Sequence, residues 1–312
     1  MISFPRLHAY FTKSKRVEGW LSVRIQRSGD AFCFAHVVRP AQHRPVVSFC
    51  DTCSGDELEA LAKERNFERY RISCLMNYGE YQMLSVEAPN VPREEMKAAL
   101  RWRIKDLLDC DIEESTVDVI DIPQDENLSA KDHSIIAVSA RNEIIRDRMA
   151  LFEKHGMPLS AIDIPELAQR NIAALFEDDG KGIAMLSFDE ESGLLTFSCA
   201  GELCLARRID VTLPQLLEGG EEGKAPIDRI TLELQRSIDH FERQFHYIPL
   251  TWLLLAPLPQ SGGMQDHLAA NLSIPVKTAD LNEVFDLPET LSLEQQSQCF
   301  LALGGALRQE AS

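Results

Sequence analysis

The chain has 312 residues, of which 45% are apolar and 26% charged, and its formal net charge is −17. This length and composition are typical of a soluble globular protein of about two domains, with a core that needs no disulfide or metal staple. The excess of acidic residues excludes nucleic acid and bare anionic membrane as main partners of the whole surface. No signal peptide is evident, and no apolar run approaches the ~18 residues of a transmembrane helix. The sequence therefore predicts a cytoplasmic protein.

Residues 1–18 depart from the acidic character of the chain. They hold a small basic cluster made by Arg6, Lys13, Lys15 and Arg16. We interpret this segment as a flexible, solvated tail, as is common at chain ends. Contact with a membrane surface is the alternative.

The first part of the folded chain predicts a three-stranded meander, a helix and two further strands. Alternating apolar residues and a Ser-Gly-Asp turn indicate the meander. In chain order these elements fall at 19–26, 32–39, 46–50, 56–66, 71–76 and 81–87.

Residues 91–123 predict a longer helix followed by a strand. Pro92 suits the first helical turn, where a missing N–H is tolerated. Trp102 falls opposite the apolar side of the helix, so we expect it to contact something other than the sheet beneath. The strand at 116–122 ends at Pro123. The apolar stripe of the helix is formed by Met96, Leu100, Ile104, Leu107 and Leu108.

The first half continues with a predicted strand, helix, strand and helix at 133–139, 141–155, 160–164 and 165–176. A polar segment with two glycines, 178–182, is the best hinge candidate in the chain. The pattern of the first half returns after this segment. After it come another three-stranded meander, a long helix and smaller elements at 183–188, 193–199, 203–209, 226–247, 251–256, 265–271, 275–278 and 293–309.

A meander followed by a helix thus occurs twice, which predicts two similar α/β lobes facing each other across a cleft. The first copy is interrupted by an insert. We divide the chain into a tail at 1–18, a first lobe at 19–78 and 158–178, an inserted small subdomain at 79–157, and a second lobe at 179–312.

Three segments of the chain carry a resemblance to a known family. They lie in 91–123, especially 99–107 (ALRWRIKDL), at 160–168 (SAIDIPELA) and at 299–308 (CFLALGGALR). In these segments the chain resembles the PilM family of type IV pilus assembly proteins, and within it the branch of MSHA pilus biogenesis proteins called MshI. The resemblance covers nearly all of the chain from Trp20 onward, and the order of the segments carries it. It implies an α/β, actin-like, two-lobed fold with a small strand-helix-strand insert in the first lobe.

The same resemblance implies a function and a location. The protein would be a cytoplasmic scaffold at the inner face of the inner membrane, binding the cytoplasmic tail of a PilN-like membrane protein. The pilus assembly ATPase is a further candidate partner, and membrane association would come through partners.

The nucleotide pattern of an actin-like ATPase is degraded in both hairpins. Such an enzyme holds phosphate and Mg²⁺ with two hairpins of the form Asp-apolar-Gly followed by Ser or Thr, which supply a carboxylate and close backbone N–H groups. The first hairpin offers Ser22 in one register, or Arg24 in another, where the acid belongs. The second has Ser187 in place of the acid and Asp189 in place of the glycine.

The nucleobase site of the family has a Gly-Gly pair directly after a strand. Here the pair Gly262 and Gly263 lies several residues beyond the strand, so this site also departs from the family pattern. We therefore expect a scaffold without catalytic residues or cofactor, and not an enzyme. The alternative is a nucleotide-gated ATPase that binds ATP-Mg, in which Asp189 and Glu190 still hold Mg²⁺ in an altered pose.

Metal and redox motifs are weak. The histidines show no ligand spacing. Cys50 and Cys53 form a CxxC without the second pair that a zinc site requires. We interpret this CxxC as a structural coincidence, with redox or metal chemistry as the alternative.

Trp102, with Arg101 and Lys105 beside it, is the candidate contact for the partner's tail. Tryptophan is enriched at binding hot spots, and neighbouring cations suit the acidic or carbonyl groups of an extended peptide. The alternative is that Trp102 packs against the first lobe and fixes the angle of the insert.

Overall fold

The computed structural model describes residues 2–3, 16–26, 31–124, 134–218, 224–259 and 263–309. The strands in these ranges are β1 (Ile2–Ser3), β2 (Trp20–Ile25), β3 (Ala31–Val38), β4 (Val46–Ser54), β5 (Arg71–Leu75), β6 (Tyr81–Glu87), β7 (Ser115–Asp121), β8 (Ser134–Arg141), β9 (Leu159–Asp163), β10 (Gly182–Phe188), β11 (Gly193–Cys199), β12 (Glu202–Ile209), β13 (Leu250–Leu255) and β14 (Val276–Thr278). The α-helices are α1 (Gly55–Glu64), α2 (Met96–Ile104), α3 (Asn142–Lys154), α4 (Pro165–Ala173), α5 (Leu213–Leu217), α6 (Lys224–Gln244), α7 (Met264–Asn271), α8 (Leu293–Gln298) and α9 (Phe300–Ala306).

Two larger sheets repeat one plan. The first sheet has the strand order β1-β9-β5-β2-β3-β4, and the second sheet has the order β12-β11-β10-β13-β14. Each contains an antiparallel meander, β2-β3-β4 or β10-β11-β12, extended by parallel strands. The β11–β12 turn uses Ala200 and Gly201, both with positive φ, which matches the right-handed twist of the strands. The predicted repetition of the meander is confirmed.

The small sheet, with the order β6-β8-β7, is inserted between β5 and β9 of the first sheet. One face is covered by α2, whose Leu100 and Ile104 are fully buried in a cluster with Val117 and Ile135. The predicted helix is in fact shorter. A 3₁₀ turn precedes α2, and another, Lys105–Leu107, follows it. Because a 3₁₀ turn has a different period from an α-helix, Leu107 leaves the apolar stripe and is 54% exposed, so its predicted burial is wrong.

The other face of the small sheet lies against the second sheet. Ile120 and Val138 belong to the same apolar core as Leu186 and Phe197. Farther along the insert, Phe152 of α3 is buried in the core of the first sheet. The segment 79–157 therefore packs against both larger sheets, and the domain bounds stated above stay a prediction.

The helices α4 and α9 lie between the two larger sheets. Every residue of α9 is buried. A Cβ at Gly304 would lie 2.1 Å from the carbonyl oxygen of Ala168 in α4, and one at Gly305 would lie 2.2 Å from Oγ of Ser22 in β2. The predicted closing helix 293–309 is divided into α8 and α9 at Cys299. Among the helices in the described ranges, none is both long and apolar enough to cross a membrane.

The glycine pair of α9 gives a test in which the sign of the effect is decisive. Gly304→Ala and Gly305→Ala would each stabilise an ordinary helix interior by about 1 kcal/mol. Here we expect each to lower the free energy of unfolding by about 1–3 kcal/mol, because the added methyl group overlaps Ala168 or Ser22. Urea denaturation measures the change. Increased stability in either variant would contradict the close approach of α9.

Candidate functional site

The two serines that replace acidic residues in the hairpins are buried between the sheets. Ser22 of β2 is fully buried beneath Gly305 of α9, and its Oγ makes no hydrogen bond within the described part of the chain. Ser187 of β10 donates from Oγ to Oε1 of Gln169 in α4, at 2.5 Å. Nε2 of Gln169 donates in turn to three acceptors of the second sheet, the carbonyl oxygens of Met185 and Leu194 and Oγ1 of Thr196. Ser22 therefore contacts α9, Ser187 donates to α4, and neither serine lines open space.

An ion pair joins the two hairpins directly. Nη2 of Arg24, in β2, lies 2.5 Å from Oδ2 of Asp189, which follows β10. The two side chains are only 13% and 14% exposed. The sequence singled out both residues as departures from the nucleotide pattern, but gave no sign that they contact each other.

The other carboxylate oxygen of Asp189 occupies the turn of the second hairpin. Oδ1 accepts from the backbone N–H groups of Glu191 at 2.8 Å and Ser192 at 2.9 Å. Burial by itself raises the pKa of Asp189, but Arg24 and these N–H groups outweigh it and hold the pKa below its usual value. The Asp189 carboxylate is thus already bound to backbone N–H groups of its own turn. The turn of the first hairpin, residues 27–30, lies outside the described residues.

The candidate nucleobase glycines are only partly described. Gly262 lies outside the described residues, and Gly263 precedes α7 with φ 82°. The backbone N–H of Ala256, just after β13, donates to the carbonyl oxygen of Leu186 at 2.8 Å. Hydrogen bonding to β10 thus continues one residue past β13, and Gly263 caps a helix instead of following the strand.

A second polar cluster links the small sheet, α4 and the second sheet. The hydroxyl of Tyr81 donates to Oε2 of Glu166 at 2.5 Å, and Nη2 of Arg208 donates to Oε1 at 2.9 Å. Burial alone would lower the pKa of Arg208, but Glu166 and Tyr81 raise it above its usual value. Glu166 lies in the 160–168 segment, so the resemblance marked the residue but not its partners.

A third buried ion pair joins the residues after α9 to the end of β9 in the first sheet. Asp163, also in the 160–168 segment, is bridged by Nη1 of Arg308, with both side chains 7% exposed. The guanidinium of Arg308 also lies 5.3 Å from the ring centroid of Trp20. Two of the three segments that carry the resemblance are therefore joined by an ion pair.

The predicted peptide contacts lie on the outer side of α2. Trp102 is 79% exposed, so the alternative that it packs against the first lobe is wrong. Arg101 donates to the carbonyl oxygens of Ser115 at 2.9 Å and Ile112 at 2.7 Å, which ties α2 to the start of β7. Nζ of Lys105 lies 5.8 Å from the ring centroid of Trp102. Trp102 and Lys105 thus present a surface to solvent, whereas Arg101 serves the subdomain itself.

A groove of about 370 Å³ lies where the chain passes from the first sheet to the small sheet. The end of β2, the 77–80 turn and Arg148 line it. Arg148 is ion-paired with Glu80, and Tyr78 is 51% exposed. Trp102 is not among the lining residues. Turn residues between two strands gave no sequence signal for this groove.

The CxxC shows no sign of redox activation. Cys50 is buried and Cys53 is partly buried. Burial, followed by the charges of Glu57 and Asp51, raises the pKa of Cys53 to about 11. Redox-active CxxC thiols have lowered pKa values. Among the described residues, His, Cys, Asp and Glu side chains form no group that could hold a metal ion.

The Arg24–Asp189 pair predicts a defined response to pH. Asp189→Asn leaves Arg24 without its counter-charge, so we expect the free energy of unfolding at pH 7 to fall by about 3 kcal/mol. Because the folded-state pKa of Asp189 is lowered, the contribution of its charge is complete above the unfolded pKa of about 3.9 and disappears as pH falls below it. Urea denaturation from pH 3 to 8, on both proteins, measures the difference.

The matched control is Asp178→Asn, which removes an exposed partner of Lys181. This change should alter stability by less than about 1 kcal/mol. Equal effects of the two substitutions, or a difference for Asp189→Asn that does not shrink in acid, would show that the Arg24–Asp189 pair does not hold the hairpins together.

No protein-family model matches the chain, and no curated protein sequence matches it. Among solved structures, it is similar to a chain of the PilM–PilN type IV pilus biogenesis complex, with 18% identity, a TM-score of 0.70, and coverage of 94% of this chain and 98% of that one. It is also similar to the cytoplasmic domain of EpsL, an inner membrane component of the type II secretion system of Vibrio cholerae, with 14% identity, a TM-score of 0.51 and coverage of 94% and 96%.

A Bacteroides thetaiotaomicron protein of unknown function with an actin-like ATPase fold is also similar, at 12% identity, a TM-score of 0.46 and coverage of 90% and 96%. The prediction of fold class is confirmed. The chain has the α/β, two-lobed actin-like fold, and it shares its architecture over nearly its whole length with the chain of the PilM–PilN complex.

Proposed function

We propose that the protein is a scaffold of a type IV pilus assembly platform of the MSHA type, in the MshI branch of PilM-like proteins, and that it is not an enzyme. It works in the cytoplasm at the inner face of the inner membrane, where it binds the cytoplasmic tail of a PilN-like membrane protein. The pilus assembly ATPase is a further candidate partner. The likeness to the PilM–PilN complex over 94% of the chain supports this proposal.

The ion pair between Arg24 and Asp189 is the observation that carries the non-enzymatic part of the proposal. A nucleotide between the hairpins would bring its phosphates toward the Asp189 carboxylate, and like charges at close range repel strongly where water is excluded. Arg24 cannot offset this repulsion, because its positive charge is already paired with Asp189. Entry of a nucleotide would therefore require breaking the ion pair and releasing two backbone N–H groups from Asp189.

The outer side of α2 supports a contact with a partner. Trp102 exposes 79% of its surface, although large aromatic side chains are usually removed from water. Leu107, a few residues further along, is also exposed. Three of the four cations from Met96 to Lys105 contact groups of the subdomain, namely Lys97, Arg101 and Arg103. Lys105 lies beside the Trp102 ring. The exposed apolar side chains and Lys105 favour a protein partner that offers apolar and acidic or carbonyl groups.

The competing function is a nucleotide-gated ATPase, and a melting experiment separates the two. A ligand present at 100 times its dissociation constant stabilises a protein by ~2.7 kcal/mol, which raises the melting temperature by several degrees. We expect no shift with millimolar Mg-ATP relative to Mg²⁺ alone, and no ATP hydrolysis above background. A reproducible, ATP-dependent rise of several degrees would overturn the scaffold proposal in favour of the ATPase.

Trp102→Ala tests the partner contact. A synthetic peptide with the cytoplasmic tail of the PilN-like protein serves as the probe, and calorimetry gives its affinity. We expect binding to weaken by about thirtyfold, the equivalent of ~2 kcal/mol, since tryptophan hot spots have effects of this size. The melting temperature should stay unchanged because the Trp102 side chain is mostly exposed to solvent.

The control for this experiment is Leu232→Ala, which removes another exposed apolar side chain, on α6. Leu232→Ala should bind the peptide as the wild type does. Unchanged binding in Trp102→Ala, or a large loss of melting temperature, would remove Trp102 from the partner site.

A further inference from the structure

The two buried polar clusters between the lobes meet at one residue, Arg208 of β12. Its Nη2 donates to Oε1 of Glu166 at 2.9 Å and to the hydroxyl of Tyr81 at 3.2 Å. Its other terminal nitrogen, Nη1, donates to Oγ of Ser192 at 3.5 Å, in the turn of the second hairpin. The ring centroid of Tyr78 lies 5.1 Å from the guanidinium carbon. Arg208 therefore contacts the small sheet, α4 and the second hairpin at the same time.

Ser192 connects Arg208 to the ion pair between the hairpins. The backbone N–H of Ser192 donates to Oδ1 of Asp189 at 2.9 Å, and its carbonyl oxygen accepts from the N–H of Asp189 at 3.1 Å. Oδ2 of the same carboxylate lies 2.5 Å from Nη2 of Arg24 in β2. Burial raises the pKa of Asp189, but the charges of Arg24 and Arg208 are among the causes that lower it. A continuous row of polar contacts thus runs from the small sheet, through the second sheet, to the first sheet.

This row, which we call the polar relay, consists of Tyr81, Glu166, Arg208, Ser192, Asp189 and Arg24. The relay is not fully satisfied. Nε of Arg208 and Nε of Arg24 are buried, and neither has a hydrogen-bond partner within the described part of the chain. A buried donor without a partner costs free energy, because its bond to water has been lost and not replaced. Opening of the lobes would return water to both donors, which lowers the free energy needed to open them.

The relay is the part of this contact region that responds most sharply to displacement. Ile120 and Val138 of the small sheet also belong to the apolar core of the second sheet. Apolar contacts are non-directional and tolerate small shifts, whereas a hydrogen bond weakens steeply as its angle departs from linearity. The guanidinium of Arg208 is a rigid planar fork, so a shift at its Tyr81 side also changes its geometry at Ser192.

We propose that the polar relay is a conformational switch, in which the small sheet and the Arg24–Asp189 hairpin pair loosen and tighten together. Arg208 is the positioning residue of this switch, because its one fork serves both ends. The small sheet also carries α2, whose outer side is the partner contact in the proposed function. The relay would then carry the effect of a bound partner to the hairpins, and only this consequence rests on the proposed function.

Hydrogen–deuterium exchange of the full chain, followed by mass spectrometry of its peptides, tests the relay without any partner. Tyr81→Phe removes the hydroxyl group at the small-sheet end, and Asp189→Asn removes the charge at the hairpin end. The matched control is Tyr70→Phe, which removes the hydroxyl group of a tyrosine that packs against Phe67 in the core of the first sheet.

We expect Tyr81→Phe to speed exchange in the hairpin turn 189–193 about three- to tenfold, since the loss of one buried hydrogen bond has an effect of this size. Coupling between two sites is reciprocal, so Asp189→Asn should speed exchange in β6 as well. The helix α1 lies outside the relay and should exchange at the wild-type rate in all variants. Tyr70→Phe should change neither the turn nor β6.

Faster exchange in β6 alone after Tyr81→Phe, or in the turn alone after Asp189→Asn, would show that the two ends move independently and would overturn the inference. Equally faster exchange in α1 would mean a general loss of stability and would overturn it too. Because the experiment contains no partner, either result leaves the proposed function intact.

Ser192→Ala provides a second check on the route. This variant keeps the backbone contacts with Asp189 and removes only the side-chain contact with Arg208. In the Ser192→Ala background, Tyr81→Phe should no longer speed exchange in the turn. An undiminished effect of Tyr81→Phe would place the coupling outside the relay and overturn the inference.

Discussion

The close contact between α4 and α9 is the constraint on which the rest of the molecule depends. These helices lie between the two larger sheets, and a backbone without a Cβ at Gly304 lets α9 approach the carbonyl oxygen of Ala168. The apolar cluster around them includes Leu75 of the first sheet and Met185 of the second. Since interiors are packed as densely as organic crystals, this one contact fixes the distance between the sheets and therefore the position of every side chain that spans them.

The polar contacts between the lobes follow from that distance. Arg24 reaches Asp189, and Glu166 reaches Arg208, across the region between the sheets. Pairs with little exposure add little net stability compared with apolar residues, but losing one partner leaves a charge without compensation. Opening of the lobes would separate these charges, so the ion pairs favour the closed arrangement. The Asp189 carboxylate of the first pair also accepts from the backbone N–H groups of Glu191 and Ser192, so the same contact orders the turn of the second hairpin.

The small sheet is positioned by both lobes and leaves its edges available. One face carries α2, with Trp102 on its outer side, and the other face joins the core of the second sheet. Its outer strand β7 lies across a gap from β9 of the first sheet. The insert thus leaves an exposed aromatic side chain, Trp102, on one face and a partly covered sheet edge at β7.

Residue patterns alone predicted the repeated meander, the insert in the first lobe, the burial of Leu100 and Ile104, and the absence of an Asp-apolar-Gly motif at Ser22, Ser187 and Asp189. All of these are readable locally, because strand and helix periods place neighbouring residues on known faces and a missing motif residue is visible directly. Three features came from the packing in three dimensions: Arg24 contacts Asp189, Leu107 and Trp102 face solvent, and Ile2 and Ser3 pair with β9. Arg24 and Asp189 stand 165 positions apart, and periodicity says which side of an element is apolar but not which distant element covers it. The close approach of α9 to α4 sets which distant elements meet, and no local sequence pattern reveals that contact.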